Sequence, residues 1–390
     1  MPGRVVDYTF IGGPGTDGYK RHGLSYHATF RALNGRDPLP IYRVLRLLLL
    51  SLGTLALALP QFAGAASSGV ITLYHHVATD TPPSTSISPA DFRGHLEYLQ
   101  DNDYTVMPLD RMVEDLRAGR EIPDKAVAIT FDDGYISIYD TAFPMLQEFG
   151  MPFTLFLSTD PINQNQSNYM NWAQIREMAD AGVIIANHMV YHPYMLDRQP
   201  GEDDATWIRR NREELLEAER TIAEHTGQNH RYLAYPYGEF DPAIKRMLAE
   251  EGFTGFAQNS GAMGPDSDYL ALPRYPLASI YADLDTARTK FESLAFSARI
   301  VEPESPVTSA ASPAITLQFS PGAYNLSQIG CFANSKAIPM EWIDRDQGIV
   351  ELRPTDRFSG RRWRYICTAP LPGTSRYFWY SVQWINPAIN

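Results

Sequence analysis

Cysteine is scarce in this chain, accounting for only two of 390 residues. Two cysteines exclude a cysteine-rich zinc scaffold and a dense disulfide framework, which leaves nine histidines as candidate ligands and acid–base groups. An excess of basic residues is also missing, since the formal net charge is −12. Nucleic-acid-binding domains need a basic face, so we expect no nucleic-acid partner. A hydrophobic content of 44% is nevertheless enough for a large core in two domains, or in a barrel with an appendage.

The apolar run near the N-terminus is too short to cross a membrane as a helix. Residues 47–59 read LLLLSLGTLALAL, and thirteen residues cannot span ~30 Å of hydrocarbon. Two arginines precede the run and Ala-Gly-Ala follows it, which is typical of a secretory signal. This signal would occupy residues 44–65, and a buried core helix is the alternative interpretation. We therefore expect residues 1–65 to be an N-terminal extension and signal, with residues 1–40 an over-extended gene start. The mature chain would be periplasmic or secreted, without an integral membrane segment.

The remaining sequence divides into two regions of different character. Strand and helix patterns alternate about seven times over residues 66–300, which predicts an α/β fold with a parallel sheet and favours a (β/α) barrel. Residues 301–313 are rich in proline, serine and alanine and predict a linker. Residues 314–390 contain short alternating segments and four of the six tryptophans, which predicts a small accessory all-β domain. Its aromatic residues fit a domain core or a glycan-binding surface.

The two cysteines both fall in this C-terminal region. Cys331 and Cys367 are 36 residues apart. In an exported protein a disulfide between them is the natural expectation, and two free buried thiols are the alternative. The same region carries eight basic and five acidic side chains, so its charge is opposite in sign to that of the whole chain.

Polar residues follow three of the predicted strands. The three segments are TFDDGY at residues 130–135, NHMVYH at 187–192 and AYPYG at 234–238. Because the carboxyl ends of parallel barrel strands share one rim, we expect these segments to meet there. This expectation turns scattered residues into one candidate site.

The residue types in the first two segments suit a metal centre. Adjacent carboxylates, Asp132 and Asp133, can divide the work, one binding a metal and the other staying free as a base. His188 and His192 have a spacing that suits two ligands of one ion. Two imidazoles and one carboxylate, with an open position for water, are typical of catalytic zinc. An acidic turn and two structural histidines remain the alternative for each motif taken alone.

In combination the three segments resemble the polysaccharide deacetylase family, the NodB-homology carbohydrate esterases of family 4, over about residues 70–295. The order of the motifs looks like the circularly permuted branch of poly-N-acetylglucosamine deacetylases. The resemblance implies a distorted (β/α) barrel of about seven strands and metal-dependent removal of N-acetyl groups from sugar polymers. It also implies a metal site made of Asp133, His188 and His192.

The resemblance further implies catalytic roles, with two departures from the family pattern. Asp132 would be the general base, and the backbone N–H of Tyr237 would help to hold the oxyanion. The family's third motif usually begins with an arginine that pairs with the base, but here that residue is Ala234, so Arg274 is our candidate for the missing charge. The usual late histidine is also missing, because no histidine follows residue 230. The permuted order makes His75 the candidate general acid, with its neighbour His76 as the weaker choice.

Substrate, cofactor and function follow from the same resemblance. Tyr237, Tyr135 and Trp172 are candidates for sugar contacts, although packing at a helix start explains Trp172 equally well. The expected cofactor is Zn²⁺, with Co²⁺ or Ni²⁺ as alternatives. The expected partner is an acetylated amino-sugar polymer, with poly-N-acetylglucosamine favoured and peptidoglycan or chitin-like chains possible. An O-acetyl-polysaccharide esterase and a non-catalytic glycan-binding protein are the alternative functions.

Overall fold

The structure of the protein, a computed structural model, describes residues 68–389. The expected N-terminal extension and secretory signal, residues 1–65, lie outside the described residues. Among the helices of residues 68–389, none combines the length and the apolar character that crossing a bilayer requires.

Parallel strands and helices alternate in the first part of the described chain. The strands are β1 (Gly69–Tyr74), β2 (His76–Val77), β3 (Ser86–Ile87), β4 (Thr105–Val106), β5 (Ala126–Phe131), β6 (Phe153–Leu157), β7 (Ile184–Asn187), β8 (Tyr232–Ala234), β9 (Thr254–Phe256) and β10 (Tyr275–Pro276). The helices are α1 (Pro89–Asp101), α2 (Leu109–Arg117), α3 (Phe143–Phe149), α4 (Thr159–Asn163), α5 (Trp172–Asp180), α6 (Asp204–Thr226), α7 (Pro242–Glu250) and α8 (Leu284–Phe291). A π-helical turn, Ile138–Ala142, precedes α3, and 3₁₀ turns occupy Pro83–Thr85, Pro236–Gly238 and Ser279–Tyr281.

The main sheet confirms the predicted α/β fold class. Seven parallel strands follow the order β10-β1-β5-β6-β7-β8-β9, and β4 adds to β5 beside this path. A single bridge between Phe256 and Leu272 links β9 to the segment that leads into β10. The sheet is therefore a half-barrel rather than a closed ring of paired strands.

The central strands are apolar because both of their faces are covered. Every residue of β1, β5 and β6 is buried. One face packs against helices such as α1, whose Phe92, Leu96 and Leu99 are buried in the larger core cluster. Strands covered on both sides consist of continuous apolar runs, which is the pattern the sequence shows here.

Residues after α8 form further β-sheets, as expected for the C-terminal region. The strands are β11 (Leu294–Ala295), β12 (Ala298–Glu302), β13 (Ile315–Phe319), β14 (Gly330–Ala333), β15 (Lys336–Ala337), β16 (Met340–Asp344), β17 (Ile349–Leu352), β18 (Arg362–Pro370) and β19 (Tyr377–Ile385), with a 3₁₀ turn at Leu326–Gln328. Their sheets have the orders β11-β19-β18-β14-β15 and β12-β13-β17-β16. A disulfide joins Cys331 of β14 to Cys367 of β18, which are paired residues of adjacent strands.

The domain boundaries stay a prediction. The strand pairing near residue 300 is relevant to the boundary between the half-barrel and the C-terminal sheets. Strand β11 pairs with β19, and β12 pairs with β13, so residues 294–302 hydrogen-bond to C-terminal strands. The long strands β18 and β19 also touch the half-barrel. Ser260 and Ser381 are linked by a hydrogen bond of 2.9 Å, and Tyr275 contacts the ring of Trp379.

Candidate active site

Strand β5 delivers two carboxylates to the carboxyl end of the sheet. The backbone N–H of Asp132 donates to the carbonyl of Tyr74 in the neighbouring strand, which fixes the turn that follows. Asp133 has a φ of 73° and Gly134 a φ of 89°, both in the left-handed region. The positive φ of Gly134, together with a Cβ position only 2.8 Å from the side chain of Leu157, favours glycine at this turn. Strained backbone of this kind concentrates at functional sites.

Strand β7 delivers the two histidines. The backbone N–H of His188 donates to Leu157 of β6, and the side-chain Nδ1 lies 2.7 Å from the carbonyl oxygen of Ala234 at the end of β8. Because a carbonyl oxygen only accepts, Nδ1 of His188 carries the proton. His192 lies in the following loop with a φ of 52°, which turns its ring back toward His188.

Asp133, His188 and His192 bring three acceptor atoms together. The Oδ1 atom of Asp133 lies 3.3 Å from Nε2 of His188 and 3.4 Å from Nε2 of His192. One ligand atom from each residue lies within 4.8 Å of the other two. The three residues therefore form a possible metal-binding site, with the carboxylate–imidazole composition that suits a divalent transition metal.

The protonation of these groups fits a cation between them. With Nδ1 as the donor to Ala234, the neutral ring of His188 keeps a lone pair on Nε2, and this buried atom has no hydrogen-bond partner among residues 68–389. A lone pair that faces a carboxylate oxygen at 3.3 Å is repulsive, and either a bound cation or a proton on Nε2 relieves this repulsion. Burial disfavours the charged form of His188, yet Asp132 and Asp133 raise the pKa of its imidazole above the ordinary value. Burial and His188 lower the pKa of His192 to about 4.

Asp132 has different neighbours from Asp133. Both carboxylate oxygens of Asp132 accept hydrogen bonds of 2.7 Å from Arg274, and neither side chain is exposed to solvent. Burial opposes ionisation of Asp132, but Arg274 and His188 hold the pKa of its carboxyl below the ordinary value. The carboxylate lies 3.9 Å from Nε2 of His188, beside the possible metal site and outside its three-residue set. It can accept a proton there without being a ligand.

His75, which directly follows β1, lines the same cavity as Asp133 and His192. A cavity of about 580 Å³ is lined by His75, Tyr135 and Tyr237 together with Asp133 and His192. The neighbour His76 is buried instead and its ring stacks on Tyr135 at 3.7 Å. Burial and His75 lower the pKa of His76 below the ordinary value. Of the two adjacent histidines, His75 is thus the one that faces the cavity.

Tyr237 occupies a strained turn at the edge of this cavity. Its φ is 59°, and the next residue, Gly238, would place a Cβ 2.8 Å from Gln258. The ring of Tyr237 stacks on Tyr194 at 3.9 Å and meets the ring of His192 edge-on at 4.4 Å. Tyr237 therefore lies directly beside His192 of the possible metal site.

Trp172 lies outside the cavity. It begins helix α5 after the capping residue Asn171, and its ring stacks on His225 of α6 at 4.0 Å. Its indole N–H donates to Asn163. These contacts are those of packing at a helix start, and a sugar contact by Trp172 stays a prediction.

Sequence reasoning missed three contributors to the site. The carbonyl of Ala234 orients His188, but a backbone acceptor leaves no trace in residue identity. Tyr191 lines the cavity from the loop between the two histidines, where the NHMVYH segment gave a signal that we did not use. Arg362 of β18 also lines it, and only the tertiary packing of the C-terminal sheets brings it there.

The chain is similar to known deacetylases. Residues 119–256 match the family model described as polysaccharide deacetylase. The poly-β-1,6-N-acetyl-D-glucosamine N-deacetylase of Staphylococcus epidermidis is 28% identical over 196 residues, which cover 48% of this chain and 67% of the relative.

Solved structures show the same similarity. The structure of IcaB from Ammonifex degensii has a TM-score of 0.50 and 26% identity, and the match covers 57% of this chain and 96% of IcaB. The Streptococcus pyogenes deacetylase PplD, solved with acetate, has a TM-score of 0.52 and shares the fold at 20% identity, over 58% of this chain and 99% of PplD. Residues 119–256 therefore form a polysaccharide deacetylase domain, and this part of the chain is similar to hydrolases of that family.

Proposed function

We propose that the protein is an exported, zinc-dependent N-deacetylase of a polymer that contains N-acetylglucosamine, with poly-β-1,6-N-acetylglucosamine as the favoured substrate. The observation that carries the proposal is the division of labour between two adjacent carboxylates. Asp133 faces the imidazoles of His188 and His192, whereas Asp132 is held by Arg274. We favour this polymer because the Staphylococcus epidermidis relative is named as a deacetylase of poly-β-1,6-N-acetyl-D-glucosamine.

The residues would divide the hydrolysis as follows. A divalent ion held by Asp133, His188 and His192 would supply Lewis-acid polarisation of the acetyl carbonyl and a more acidic bound water. Asp132 accepts a proton from the attacking water, whose oxygen forms the new bond to the acetyl carbon. The backbone N–H of Tyr237 donates to the oxyanion that develops on the former carbonyl oxygen.

Departure of the amine needs a proton of its own, because an unprotonated amide nitrogen is a poor leaving group. His75 lines the same cavity as Asp133 and His192 and has no role in the possible metal site, so it can give this proton. The carbon–nitrogen bond breaks, acetate leaves and the sugar keeps a free amino group. Arg274 acts through Asp132 and is a positioning residue.

The experiment that tests the function is acetate release across defined oligosaccharides. The full chain, loaded with Zn²⁺, is incubated with β-1,6- and β-1,4-linked N-acetylglucosamine oligomers, peptidoglycan fragments and acetylated xylan. We expect acetate from N-acetylglucosamine oligomers, fastest with the β-1,6 linkage, and about one metal ion per chain by elemental analysis. Acetate from acetylated xylan alone would identify an O-acetyl esterase. Binding without acetate release would identify a glycan-binding protein.

Export is tested separately, by fractionating the source cells. We expect the mature chain outside the cytoplasm with residues 1–65 removed, as the apolar run at residues 47–59 predicts. A cytoplasmic chain that keeps these residues would refute this part of the proposal and leave the catalytic part standing.

A further inference from the structure

The wall of the active-site cavity is shared between the half-barrel and the C-terminal sheets. Arg362 of β18 lines the cavity that contains Asp133 and His192. It also lines a recess of about 90 Å³, together with Tyr237, Gln258, Trp363, Arg364 and Gln383. Because Tyr237, Gln258 and Arg362 line both spaces, the recess continues the cavity away from the metal-site residues. A polymer that enters the cavity would therefore reach residues of the C-terminal region.

This junction is fixed by direct contacts. The side chain of Gln383 donates to the carbonyl of Gly238 at 2.7 Å, which ties β19 to the strained turn at Tyr237. Arg361 makes two hydrogen bonds, of 2.7 and 2.8 Å, to the buried carboxylate of Glu239. Arg362 donates to the same carboxylate at 2.8 Å, and its guanidinium carbon lies 5.3 Å from the centre of the Tyr237 ring. These hydrogen bonds hold the residues around the recess in fixed positions.

The charge of the recess is positive. Two of its six lining residues are arginines, and none of the six is acidic. The carboxylates of Glu239 and Asp197 balance Arg361 and Arg362. Arg364 has no ion pair within residues 68–389, and the one hydrogen bond found for it is to the carbonyl of Gln258. One positive charge therefore remains without compensation in the recess.

The size and the donors of the recess fit an acetamido group. A volume of about 90 Å³ corresponds to roughly six to nine water positions, which is enough room for the few heavy atoms of an acetamido group. A guanidinium has five N–H donors, of which Arg362 and Arg364 each use one in the contacts given above. The remaining donors can reach a neutral carbonyl oxygen.

We propose that this recess, defined by Arg362, Arg364 and Gln258, binds the N-acetyl group of the sugar next to the one being deacetylated, and disfavours a neighbour that is already a free amine. The inference rests on the proposed function and extends it to substrate selection. A glucosamine neighbour presents an ammonium group at neutral pH, which the uncompensated arginine charge repels, and it lacks the carbonyl acceptor. The enzyme would therefore leave acetylated sugars beside deacetylated ones instead of converting every sugar in a run.

The test compares neighbours directly. Tetramers of β-1,6-linked N-acetylglucosamine are prepared fully acetylated, and with a single glucosamine on either side of one internal acetylated sugar. For the full chain loaded with Zn²⁺ we expect kcat/KM at that sugar to fall roughly five- to tenfold when glucosamine lies on one of the two sides, the combined size of one lost hydrogen bond and one exposed charge repulsion. Wild-type enzyme that does not distinguish any of the three substrates would overturn the inference while leaving the deacetylase function established.

Variants identify the residues responsible. Arg362→Gln combined with Arg364→Gln should reduce the preference to less than about twofold, since the charge and most donors are gone. Arg362→Lys keeps the charge and should keep most of the preference. Arg353→Gln is the matched control, because Arg353 pairs with Glu351 on the exposed surface and lines neither space. Hydrolysis of 4-nitrophenyl acetate reports whether the catalytic centre of each variant is intact.

Two outcomes of this comparison are decisive. A double variant that hydrolyses the ester normally and keeps the wild-type preference would overturn the inference. If the double variant fails to fold, Arg364→Gln decides alone, because its side chain has no ion pair to lose within residues 68–389. Complete absence of acetate from all oligomers with wild-type protein would instead refute the proposed function, so the two failures are distinguishable.

Discussion

Arg274 holds both carboxylate oxygens of Asp132 at 2.7 Å, and the pair is completely buried. The two residues are 142 positions apart in the chain. Arg274 also donates to the carbonyl of Ala257, so its guanidinium is fixed on more than one side. The contact is the one expected if Arg274 supplies the charge that Ala234 cannot.

The first prediction concerns this ion pair. Arg274→Gln should raise the pKa of Asp132, because burial then acts without the opposing arginine charge. A general base works only when ionised, so the acid limb of the kcat/KM–pH profile should move to higher pH. The variant should also lose about 3–5 kcal/mol of unfolding free energy, the usual cost of leaving a buried charge unpaired. Chemical denaturation and a pH–rate profile measure the two effects.

Arg274→Lys is the control for the charge. It keeps a positive group near Asp132 and loses the two-point contact, so its acid limb should lie between those of wild type and Arg274→Gln. An Arg274→Gln enzyme that folds and shows the wild-type acid limb would contradict the positioning role.

The second prediction separates the two carboxylates. Asp132→Asn should lower kcat by roughly 10²- to 10⁴-fold, the usual contribution of a general base, and leave metal content unchanged. The reason is that Asp132 lies outside the three-residue set formed by Asp133, His188 and His192. Asp140→Asn, an exposed acid on the π-helical turn, is the matched control and should be close to wild type. Loss of metal from Asp132→Asn would show that Asp132 is a ligand and not a separate base.

The third prediction concerns the metal site. His192→Ala should reduce bound metal strongly, because one of the three ligand atoms within 4.8 Å of each other is removed. Wild-type protein treated with a chelator should also melt at a lower temperature, because a bound ion stabilises only the folded state. The melting temperature of metal-free His192→Ala should then change little when Zn²⁺ is added. His225→Gln, which removes the ring that stacks on Trp172, serves as the control and should retain metal.

The fourth prediction decides between His75, which directly follows β1, and His76, the first residue of β2. His75→Ala should slow amide hydrolysis strongly and hydrolysis of an ester with a good leaving group much less, because only the amine needs a proton to depart. His76→Ala should affect both substrates alike, since His76 is buried against Tyr135 and acts through packing. Equal losses on both substrates for His75→Ala would contradict its role as general acid.

The sequence was sufficient to predict those parts of the site that follow a strand directly. Asp132 and Asp133 come after a buried apolar run, and the parallel order of the sheet brings that strand end to His188. Side chains that depend on the packing of separate regions could not be predicted in this way. Arg362 reaches the cavity only because β18 packs beside the Tyr237 turn, and no local pattern encodes that contact.

Two helical features of the structure could not be predicted from the periodicity of the sequence. A π-helical turn at Ile138–Ala142 directly precedes α3, where the sequence pattern alone indicates one continuous helix. Periodicity indicates a helix without distinguishing its hydrogen-bond pattern. The short helix α4, Thr159–Asn163, escaped notice because five residues are too few to show a period.

The last prediction rests on a buried histidine outside the active site. His95 of α1 is inaccessible to solvent, and its Nε2 lies 2.8 Å from the carbonyl oxygen of Ala282. Because that oxygen can only accept, Nε2 carries the proton, and Nδ1 accepts from the Tyr74 hydroxyl at 3.0 Å. Both contacts are satisfied by the neutral ring. Burial lowers the pKa of His95 to about 4, and the hydrogen bond to Ala282 offsets only part of this effect.

Neutral His95 should therefore make folding stability depend on pH. Between about pH 6.5 and 4 the unfolded chain binds a proton at His95, whereas the folded protein does not. The contribution of neutral His95 to the unfolding free energy is therefore fully present above pH 6.5. It is lost as the pH falls toward 4, by about 3 kcal/mol in all. His95→Gln cannot take up that proton, and its unfolding free energy should fall less steeply over the same range. Urea denaturation of both proteins in chelator measures this, since the acids and imidazoles of the metal site are common to both and cancel in the difference. Parallel pH curves for wild type and His95→Gln would show that His95 is charged in the folded protein, or that its burial is relieved there.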